Sequence, residues 1–242
     1  MNYAIIAAGE GSRLVSEGVP VPKPLVDLDG RPMIGRLIDI MCECGAESVS
    51  VIVNEGMTQV ADYLRERART LAVPLRLTVR TTPSSMHSFY ELVRLIPEGK
   101  FVLTTVDTIF DAGAFRRYAE AFVAAPAGTG HMGVTDYIDD EKPLYVGTAA
   151  DNRITGFYDT PHPDARYISA GIYGLERAVA LPVLESCMAA GVHRMRNYQR
   201  QLLLAGVPLQ AVPLGRVFDV DHASDIAAAR SFLSNPHTPD HA

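Results

Sequence analysis

The residues of this chain best suited to chemistry are glycines and cations in one N-terminal segment. Residues 7–14 read Ala-Ala-Gly-Glu-Gly-Ser-Arg-Leu, and Pro22-Lys23-Pro24-Leu25 follows a short stretch later. Glycines let backbone N–H groups approach phosphate oxygens closely, while Arg13 and Lys23 supply compensating positive charge. The pattern therefore predicts a loop that binds a phosphate chain.

A Gly-x-Gly after a strand also begins the dinucleotide-binding fingerprint and occurs in ordinary turns. Here the third glycine of that fingerprint is missing, because position 14 is Leu14, and no helix is predicted directly after the loop. The arginine two residues after Gly11 and the Pro-Lys-Pro-Leu at this distance form a more specific composite. We therefore interpret the segment as a nucleotide-binding loop and not as a structural turn or a nicotinamide site.

Carboxylates stand at two other places where a metal ion could bind. Asp107 ends the apolar stretch Phe101–Val106, and Asp219, Asp221 and Asp225 lie close together near the C-terminus. A hard cation that keeps several waters needs only one or two carboxylates plus phosphate oxygens. Asp219 and Asp221 would share one face of a strand, whereas Asp225 would stabilise the first turn of a helix.

A helix cap is the alternative role for Asp107, but Asp111 is better placed to cap the helix that follows. Asp107 therefore stays a metal-ligand candidate.

The predicted elements of the first half place these residues at one edge of a sheet. Alternation of strands and helices indicates an α/β fold with a parallel sheet covered on both faces, which binds ligands beyond the carboxyl ends of its strands. We predict strands at Tyr3–Ala7, Ser48–Val53, Leu75–Arg80 and Phe101–Val106, helices at Arg31–Gly45, Val60–Arg69 and Ser85–Leu95, and a long loop at 10–24. The informative loops should follow Ala7, Asn54, Arg80 and Val106.

The second half of the chain has shorter predicted strands. We expect a mixed sheet there, which forms a lid or acceptor-binding half. Its strands are predicted at His131–Tyr137, Leu144–Thr148, Arg153–Tyr158, Tyr167–Leu175, Leu209–Pro213 and Val217–Val220, and its helices at Leu181–Ala190, Tyr198–Ala205 and Ala223–Leu233. A single domain over 1–234 is predicted, with halves 1–127 and 128–234, and 235–242 is expected to be a flexible tail.

Composition excludes several classes of function. The formal net charge is -6 with scattered basic residues, which argues against binding of a nucleic-acid duplex. No apolar run reaches the roughly 18 residues of a membrane span, and the N-terminus lacks signal-peptide features. Cys42, Cys44 and Cys187 are too few for a disulfide framework and are predicted to be free thiols. We expect a cytoplasmic protein, and a homo-oligomer remains open.

Residues 7–14 together with Pro22–Val26 resemble the nucleotide-binding loop of the sugar nucleotidyltransferase superfamily. The resemblance implies a Rossmann-like fold, a three-layer αβα sandwich whose central sheet is mainly parallel and partly mixed. It also implies that a nucleoside monophosphate is transferred from a nucleoside triphosphate to a sugar 1-phosphate or similar phosphorylated acceptor, with pyrophosphate leaving. Mg²⁺ is the implied cofactor.

The same resemblance assigns roles to individual residues. It makes Arg13, Lys23 and Asp107 catalytic, with Asp107 as one metal ligand and either Asp221 or Asp219 as the second. Asp221 is preferred, because the family's Asp-Thr-Pro-Glu-Asp aligns with Asp221 first. The implied nucleotide contacts are Ala7, Ala8, Gly9, Gly11, Ser12, Arg13, Thr82, Ser84 and Ser85. Ser84 or Ser85 is alternatively a cap of the next helix.

The acceptor side departs from the family pattern. Ser169–Tyr173 resembles the family's Asn-Ala-Gly-Ile-Tyr, which implies acceptor contacts from Gly171 and Tyr173. The family's Glu-Lys-Pro upstream is replaced by residues 158–161, Tyr-Asp-Thr-Pro, so the lysine that would bind the acceptor phosphate is absent there. Candidates to replace it are Arg153, Arg166, Arg194 and Arg196.

Two alternative functions follow. Cytidylyl transfer to a phosphorylated alcohol such as phosphocholine would explain the altered acceptor side. A non-catalytic regulatory homologue would be expected to lose the metal carboxylates or the lysine, yet Asp107, Asp221 and Lys23 are all present.

Overall fold

The first half of the chain alternates strands and helices, as its sequence pattern predicts. The computed structural model describes residues 1–138 and 142–234, so the tail predicted at 235–242 lies outside the described residues. The elements of this half are β1 (Asn2–Ala7), α1 (Ser12–Ser16), a 3-10 helix (Lys23–Leu25), β2 (Asp27–Leu28), β3 (Arg31–Pro32), α2 (Met33–Glu43), β4 (Ser48–Val53), α3 (Thr58–Thr70), β5 (Leu75–Val79), α4 (Ser85–Val93), β6 (Lys100–Thr105), β7 (Thr108–Ile109) and α5 (Ala112–Ala124).

Within the described residues, the second half adds six further strands, of which β11 is the longest, and three helices. Its elements are β8 (Gly130–Thr135), β9 (Tyr145–Thr148), β10 (Ile154–Tyr158), β11 (Ala165–Glu176), α6 (Arg177–Ala189), α7 (Met195–Leu204), β12 (Leu209–Pro213), β13 (Phe218–Asp219) and α8 (Ala223–Ser234). No helix in residues 1–138 or 142–234 is long and apolar enough to cross a bilayer.

One continuous sheet runs through both halves. The parallel strands β6, β1, β4 and β5 lie side by side in that order. Strand β11 pairs antiparallel with β6 and so attaches β8, β9, β10 and β12 to the same sheet. The predicted fold class, a central sheet that is parallel at one end and mixed at the other, is confirmed. Strands β8 to β12 of the second half extend this sheet, whereas β13 pairs with β7 in a separate two-stranded ribbon.

Helices cover both faces of the sheet because the inner strands are apolar on both sides. All six residues of β1 are buried. Tyr3 and Ile5 contact the core formed with α2, α3 and α5, while Ala4 and Ile6 contact the core formed with α4, α6 and α7. Full burial of such side chains stabilises the fold by roughly 1.5–3 kcal/mol each. These two cores make the three layers of the sandwich.

A third, smaller core connects the two ends of the chain. It joins the N-terminal segment to the C-terminal helix α8 through Leu14, Val26, Leu28, Met33, Ile109, Phe218, Val220 and Ala229. The predicted loop at 10–24 is therefore held by apolar contacts and is not free at the surface. This core determines where the polar residues of both ends meet.

Two local predictions are wrong. The segment 10–24, predicted as loop, contains α1 and the 3-10 helix, and only Leu14 of α1 is buried, so no apolar periodicity marks it. The helix predicted from Arg31 begins at Met33, because Arg31 and Pro32 pair with β2. Asp29 and Gly30, at φ 54 and 83, form the two-residue turn between those strands. An Asp-Gly pair is a sequence signal for such a turn.

Candidate active site

A cavity of about 590 Å³ lies at the carboxyl ends of the parallel strands; we call it the larger cavity. The loops predicted after Ala7, Arg80 and Val106 contribute to it, and Asn54 contributes from just after β4. It is lined by Ile6, Ala8, Gly9, Glu10, Gly11, Ser12, Arg13, Lys23, Asn54, Thr81, Thr82, Pro83, Ser84, Ser85, Ser88, Thr105, Val106, Asp107 and Asp221. Of the nine predicted nucleotide contacts, eight line it, and Ala7 does not.

The two glycines of the N-terminal loop have different structural roles. Gly11 has φ +61, and a Cβ there would lie 2.9 Å from the Cβ of Lys23. Only glycine therefore allows the loop to turn into α1 while Lys23 packs against it. A Cβ on Gly9 would meet no atom within 4 Å, because this part of the backbone faces the open cavity. The backbone at Gly9 is thus accessible to a ligand.

Lys23 is the centre of a charged cluster at the cavity floor. Its Nζ donates hydrogen bonds to Asp107 Oδ2 and Asp221 Oδ1, both at 2.6 Å. The residue is only 7% exposed. Burial alone would lower the pKa of Lys23, but the carboxylate of Asp107, and then that of Asp221, outweigh burial and raise it. The two carboxylates therefore favour the charged ammonium form of the side chain.

Arg13 extends this cluster toward the surface. Its guanidinium Nη1 lies 3.1 Å from Asp221 Oδ2, so Asp221 accepts from a lysine and an arginine at once. The predicted catalytic residues Arg13, Lys23 and Asp107 thus form one connected group with Asp221. We call these four residues the charged cluster.

A short ribbon brings the C-terminal carboxylates to Asp107. Strand β13 pairs with β7, with Asp219 opposite Thr108, and Val220 N donates to Asp107 O at 3.1 Å. The chain then enters α8. Asp225 Oδ2 accepts from the backbone N–H groups of Asp221 and His222, which confirms its predicted role at the helix N-terminus.

Asp219 lies on the ribbon next to the charged cluster and retains solvent access. Desolvation and the neighbouring carboxylate of Asp107 raise the pKa of the Asp219 carboxyl above its ordinary value. Of the two candidates for the second metal ligand, Asp221 is the one that contacts Lys23 directly.

A second cavity of about 350 Å³, the smaller cavity, adjoins the first at Arg13 and Asp221. It is mostly built from the second half of the chain. Its lining residues are Arg13, Thr135, Tyr137, Lys142, Ile168, Ser169, Ala170, Val217, Phe218, Asp219, Asp221, His222 and Asp225. The charged cluster therefore stands at the junction of two cavities.

Several predicted residues lie elsewhere than expected. Ala7 faces the core of α2, α3 and α5, because its neighbours Ile6 and Ala8 alternate toward the cavity.

Tyr173 is 5% exposed, and its hydroxyl accepts from Gln199 Nε2 at 3.5 Å. Gly171 lies beside Thr105 and Thr108 at φ +69. Neither Tyr173 nor Gly171 lines the larger or the smaller cavity, whereas Ser169 and Ala170 of the same strand line the smaller one.

The structure also gives the positions of the other residues with alternative roles. Asp111 Oδ1 accepts from Ala114 N at 2.7 Å and caps α5, as predicted. Ser84 precedes α4 without a side-chain cap, and its Oγ lies 2.8 Å from His87 Nδ1. The four arginines proposed to replace the acceptor lysine, Arg153, Arg166, Arg194 and Arg196, do not line the smaller cavity. The predicted free thiols are confirmed for all three cysteines.

Asn54 and Lys142 are among the cavity residues that the sequence does not single out. Asn54 follows β4 and donates from Nδ2 to Ala8 O at 3.1 Å, which fixes the backbone of the glycine loop. Lys142 lines the smaller cavity just before β9. The strand-end rule points to the loop after Asn54, but no sequence signal distinguishes Lys142.

Residues 3–173 match the family model described as the MobA-like NTP transferase domain. The chain belongs to this family. The match contains the glycine loop, Lys23 and Asp107, whereas Asp221 lies beyond its end.

Similar proteins place this MobA-like NTP transferase domain among nucleotidyltransferases. The chain is 27% identical to the 2-aminoethylphosphonate cytidylyltransferase of Lancefieldella rimae, over 69% of this chain and 70% of that protein. It is 25% identical to the bifunctional protein GlmU of Neisseria meningitidis, over 98% of this chain and 55% of GlmU, so it spans about half of that relative. The protein is a nucleotidyltransferase.

The fold of this MobA-like NTP transferase domain is shared with a solved enzyme. The inositol-1-phosphate CTP transferase from T. maritima superposes with a TM-score of 0.79 over 98% of both chains, at 19% identity. This likeness concerns the fold. The sequence resemblance to the sugar nucleotidyltransferase superfamily is confirmed.

Proposed function

We propose that this enzyme binds a nucleoside triphosphate in the larger cavity and transfers its nucleoside monophosphate to a phosphorylated acceptor in the smaller cavity. The observation that carries the proposal is the charged cluster at the junction of the two cavities, where Arg13 and Asp221 line both. A triphosphate in the larger cavity and an acceptor in the smaller cavity would meet at this junction. The two halves, 1–127 and 128–234, would then serve as nucleotide side and acceptor side of one domain.

We propose Mg²⁺ as the cofactor, held by Asp107 and Asp221, with Asp219 as the alternative to Asp221. The donor set fits, because two carboxylate oxygens already converge on one cation, the ammonium of Lys23, at 2.6 Å each. Within residues 1–138 and 142–234 no group of three or more His, Cys, Asp or Glu side chains is arranged for a metal. Magnesium is suited to such a site, because it commonly takes one or two carboxylates and fills the rest with waters and phosphate oxygens.

The reaction is an in-line displacement in which the attacking oxygen needs no general base. An oxygen of the acceptor phosphate forms a bond to the α-phosphorus, and the bond from that phosphorus to the bridging oxygen of pyrophosphate breaks. The attacking oxygen is already anionic, so no proton has to be removed. Bound magnesium would supply electrostatic stabilisation of the phosphate oxygens.

The chain's own residues supply charge and backbone donors. Lys23 and Arg13 would stabilise negative charge on the transferred group, and the accessible backbone at Gly9 would approach the nucleotide. Gly11 and Ser12 line the same cavity. Thr82, Ser84 and Ser85 also line it, and their hydroxyls and backbone amides suit the base and ribose.

Two acceptor classes remain candidates. A sugar 1-phosphate is the acceptor that the superfamily resemblance favours. Cytidylyl transfer to a phosphorylated alcohol or a phosphonate is favoured by the cytidylyltransferase relative and by the absence of the family's acceptor lysine at residues 158–161. The free cysteines and the use of a nucleoside triphosphate favour a cytoplasmic location.

Pyrophosphate release tests this function. Each common nucleoside triphosphate is combined, with magnesium, with a panel of sugar 1-phosphates, phosphocholine and 2-aminoethylphosphonate. We expect release that requires one triphosphate and one acceptor, and that falls by about 10²-fold or more in Asp107→Asn.

Asp111→Asn is the matched control for this experiment. It makes the same chemical change four residues away, and asparagine caps helices as well as aspartate does, so full activity is expected. Absence of triphosphate binding to the wild-type protein would contradict the proposal.

A further inference from the structure

The smaller cavity presents an electrostatic problem for the substrate that it should hold. Three of its lining residues are the carboxylates Asp219, Asp221 and Asp225. An acceptor phosphate carries up to two negative charges and would be repelled by them. Asp221 is neutralised by Lys23 and Arg13, and Asp225 accepts from backbone N–H groups. The arginine and lysine side chains in the lining of this cavity, which carry the opposite charge, are Arg13 and Lys142.

Lys142 brings this positive charge to the cavity wall. It lies on the segment before β9, where Ser169 N donates to Leu144 O at 2.9 Å and so holds the segment beside another cavity residue. Arg13 lines the cavity at the junction with the nucleotide side. A phosphoryl group between Arg13 and Lys142 would be next to the reacting centre.

The backbone of Lys142 is anchored by an ion pair from a distant part of the chain. Arg196 Nη2 donates to Lys142 O at 2.8 Å, while Arg196 Nη1 donates to Asp159 Oδ1 at 2.7 Å. Arg200 Nη2 lies 2.8 Å from Asp159 Oδ2 and completes the pair from the other side. Asp159 belongs to the stretch 158–161, where the family pattern would place its acceptor lysine.

We propose that Lys142, together with Arg13, binds the anionic phosphoryl or phosphonyl group of the acceptor, and that Asp159 and Arg196 are positioning residues for Lys142. The proposal rests on the function proposed above. It gives the altered stretch 158–161 a new role, in which Asp159 orients Arg196 and Arg196 holds the backbone that presents the lysine.

Steady-state kinetics test this assignment with the triphosphate and acceptor that the wild-type enzyme uses. We expect Lys142→Ala to raise the KM for the acceptor by about 10- to 100-fold, since a hydrogen bond to a charged group is lost. The KM for the triphosphate should stay within about twofold, because Lys142 does not line the larger cavity. Lys142→Arg should recover most of the loss, as it keeps the charge.

The positioning role predicts a smaller effect in the same direction. Asp159→Asn weakens both ion pairs and should raise the acceptor KM by about 3- to 10-fold without changing the triphosphate KM. Arg117→Ala is the control, because this exposed arginine does not line either cavity. Its kinetic constants should equal those of the wild type.

The outcomes separate the two proposals. Turnover by the wild type with an unchanged acceptor KM in Lys142→Ala would overturn the assignment of Lys142 and leave the nucleotidyltransfer proposal intact. An equal rise in both KM values would overturn it as well, because a general structural effect would be the cause. No turnover with any pair of substrates would overturn the proposed function and, with it, the acceptor site.

Discussion

At the scale of single residues, Lys23 combines two roles that are usually separate. It is a buried ammonium held between Asp107 and Asp221, and it faces the larger cavity where a triphosphate would lie. The same contacts that keep it charged also place it where a divalent cation would sit between the carboxylates. We therefore expect Lys23 to compete with a metal ion for these oxygens in the nucleotide-free protein.

Lys23→Met tests this competition directly. We expect nucleotidyl transfer to fall by about 10²- to 10³-fold, because a charge that stabilises the transferred group is removed. In the same variant, the nucleotide-free protein should bind Mn²⁺ more tightly than the wild type does, since the ammonium no longer occupies the carboxylates. Electron paramagnetic resonance of Mn²⁺ titrations measures this affinity.

The control for the lysine variant is Arg65→Met, which removes an exposed ion pair with Asp62. Its transfer activity and Mn²⁺ affinity should match the wild type. If Lys23→Met binds Mn²⁺ no better than wild type does, Asp107 and Asp221 are not the metal ligands.

At the scale of elements, α8 and the ribbon of β7 and β13 determine where Asp221 points. Glu17, just after α1, accepts from Ala223 N at 2.6 Å and lies 2.6 Å from His222 Nδ1, which ties the start of α8 to the N-terminal segment. Asp225 supplies the second restraint, because it accepts from Asp221 N and His222 N. The position of Asp221 thus depends on contacts at the helix N-terminus.

Substitution of Asp225 separates its capping role from its charge. Asp225→Ala removes the acceptor for both N–H groups, so we expect a loss of about 1 kcal/mol of unfolding free energy and a fall in kcat. Asp225→Asn keeps an acceptor oxygen, so it should retain most of the unfolding free energy and most of kcat. Chemical denaturation and steady-state kinetics measure the two effects. Equal loss of kcat in the two variants would mean that the charge of Asp225 acts directly on a substrate.

At the scale of the whole molecule, the continuous sheet makes stability a shared property of both halves. His131 on β8 illustrates this, since it is 7% exposed between the rings of Tyr118 and Phe122, and Lys100 lies nearby. Its Nδ1 has no hydrogen-bond partner among the residues that the structure describes. Burial, and then the charge of Lys100, lower the pKa of His131 below its ordinary value.

The lowered pKa of His131 makes global stability depend on pH. Below about pH 6.5 the histidine of the unfolded chain takes up a proton that the folded protein binds less readily, so the free energy of unfolding decreases as pH falls. The stabilisation linked to neutral His131 is fully present above the pKa that this histidine has in the unfolded chain. We expect the Tm of the wild type to fall more between about pH 7.5 and 5.5 than the Tm of His131→Phe. Parallel Tm curves would contradict this.

The sequence by itself determined the local features of this protein. The order of strands and helices follows from the spacing of apolar residues, and the strand-end rule correctly placed the cavity beside Asn54 and the loops after Ala7, Arg80 and Val106. The glycine loop was recognisable because its conformational needs are local, as the positive φ of Gly11 illustrates. The caps at Asp111 and Asp225 were predictable for the same reason.

The tertiary structure decided which distant residues meet. Arg13 and Asp221 are 208 positions apart, and only the pairing of β13 with β7 and the small core under α8 bring them together. The same long-range packing turned Tyr173 into the core and brought Lys142 to the smaller cavity. Periodicity describes which face of an element is apolar, but not which partner covers it. The acceptor side therefore depends on packing that no local pattern records.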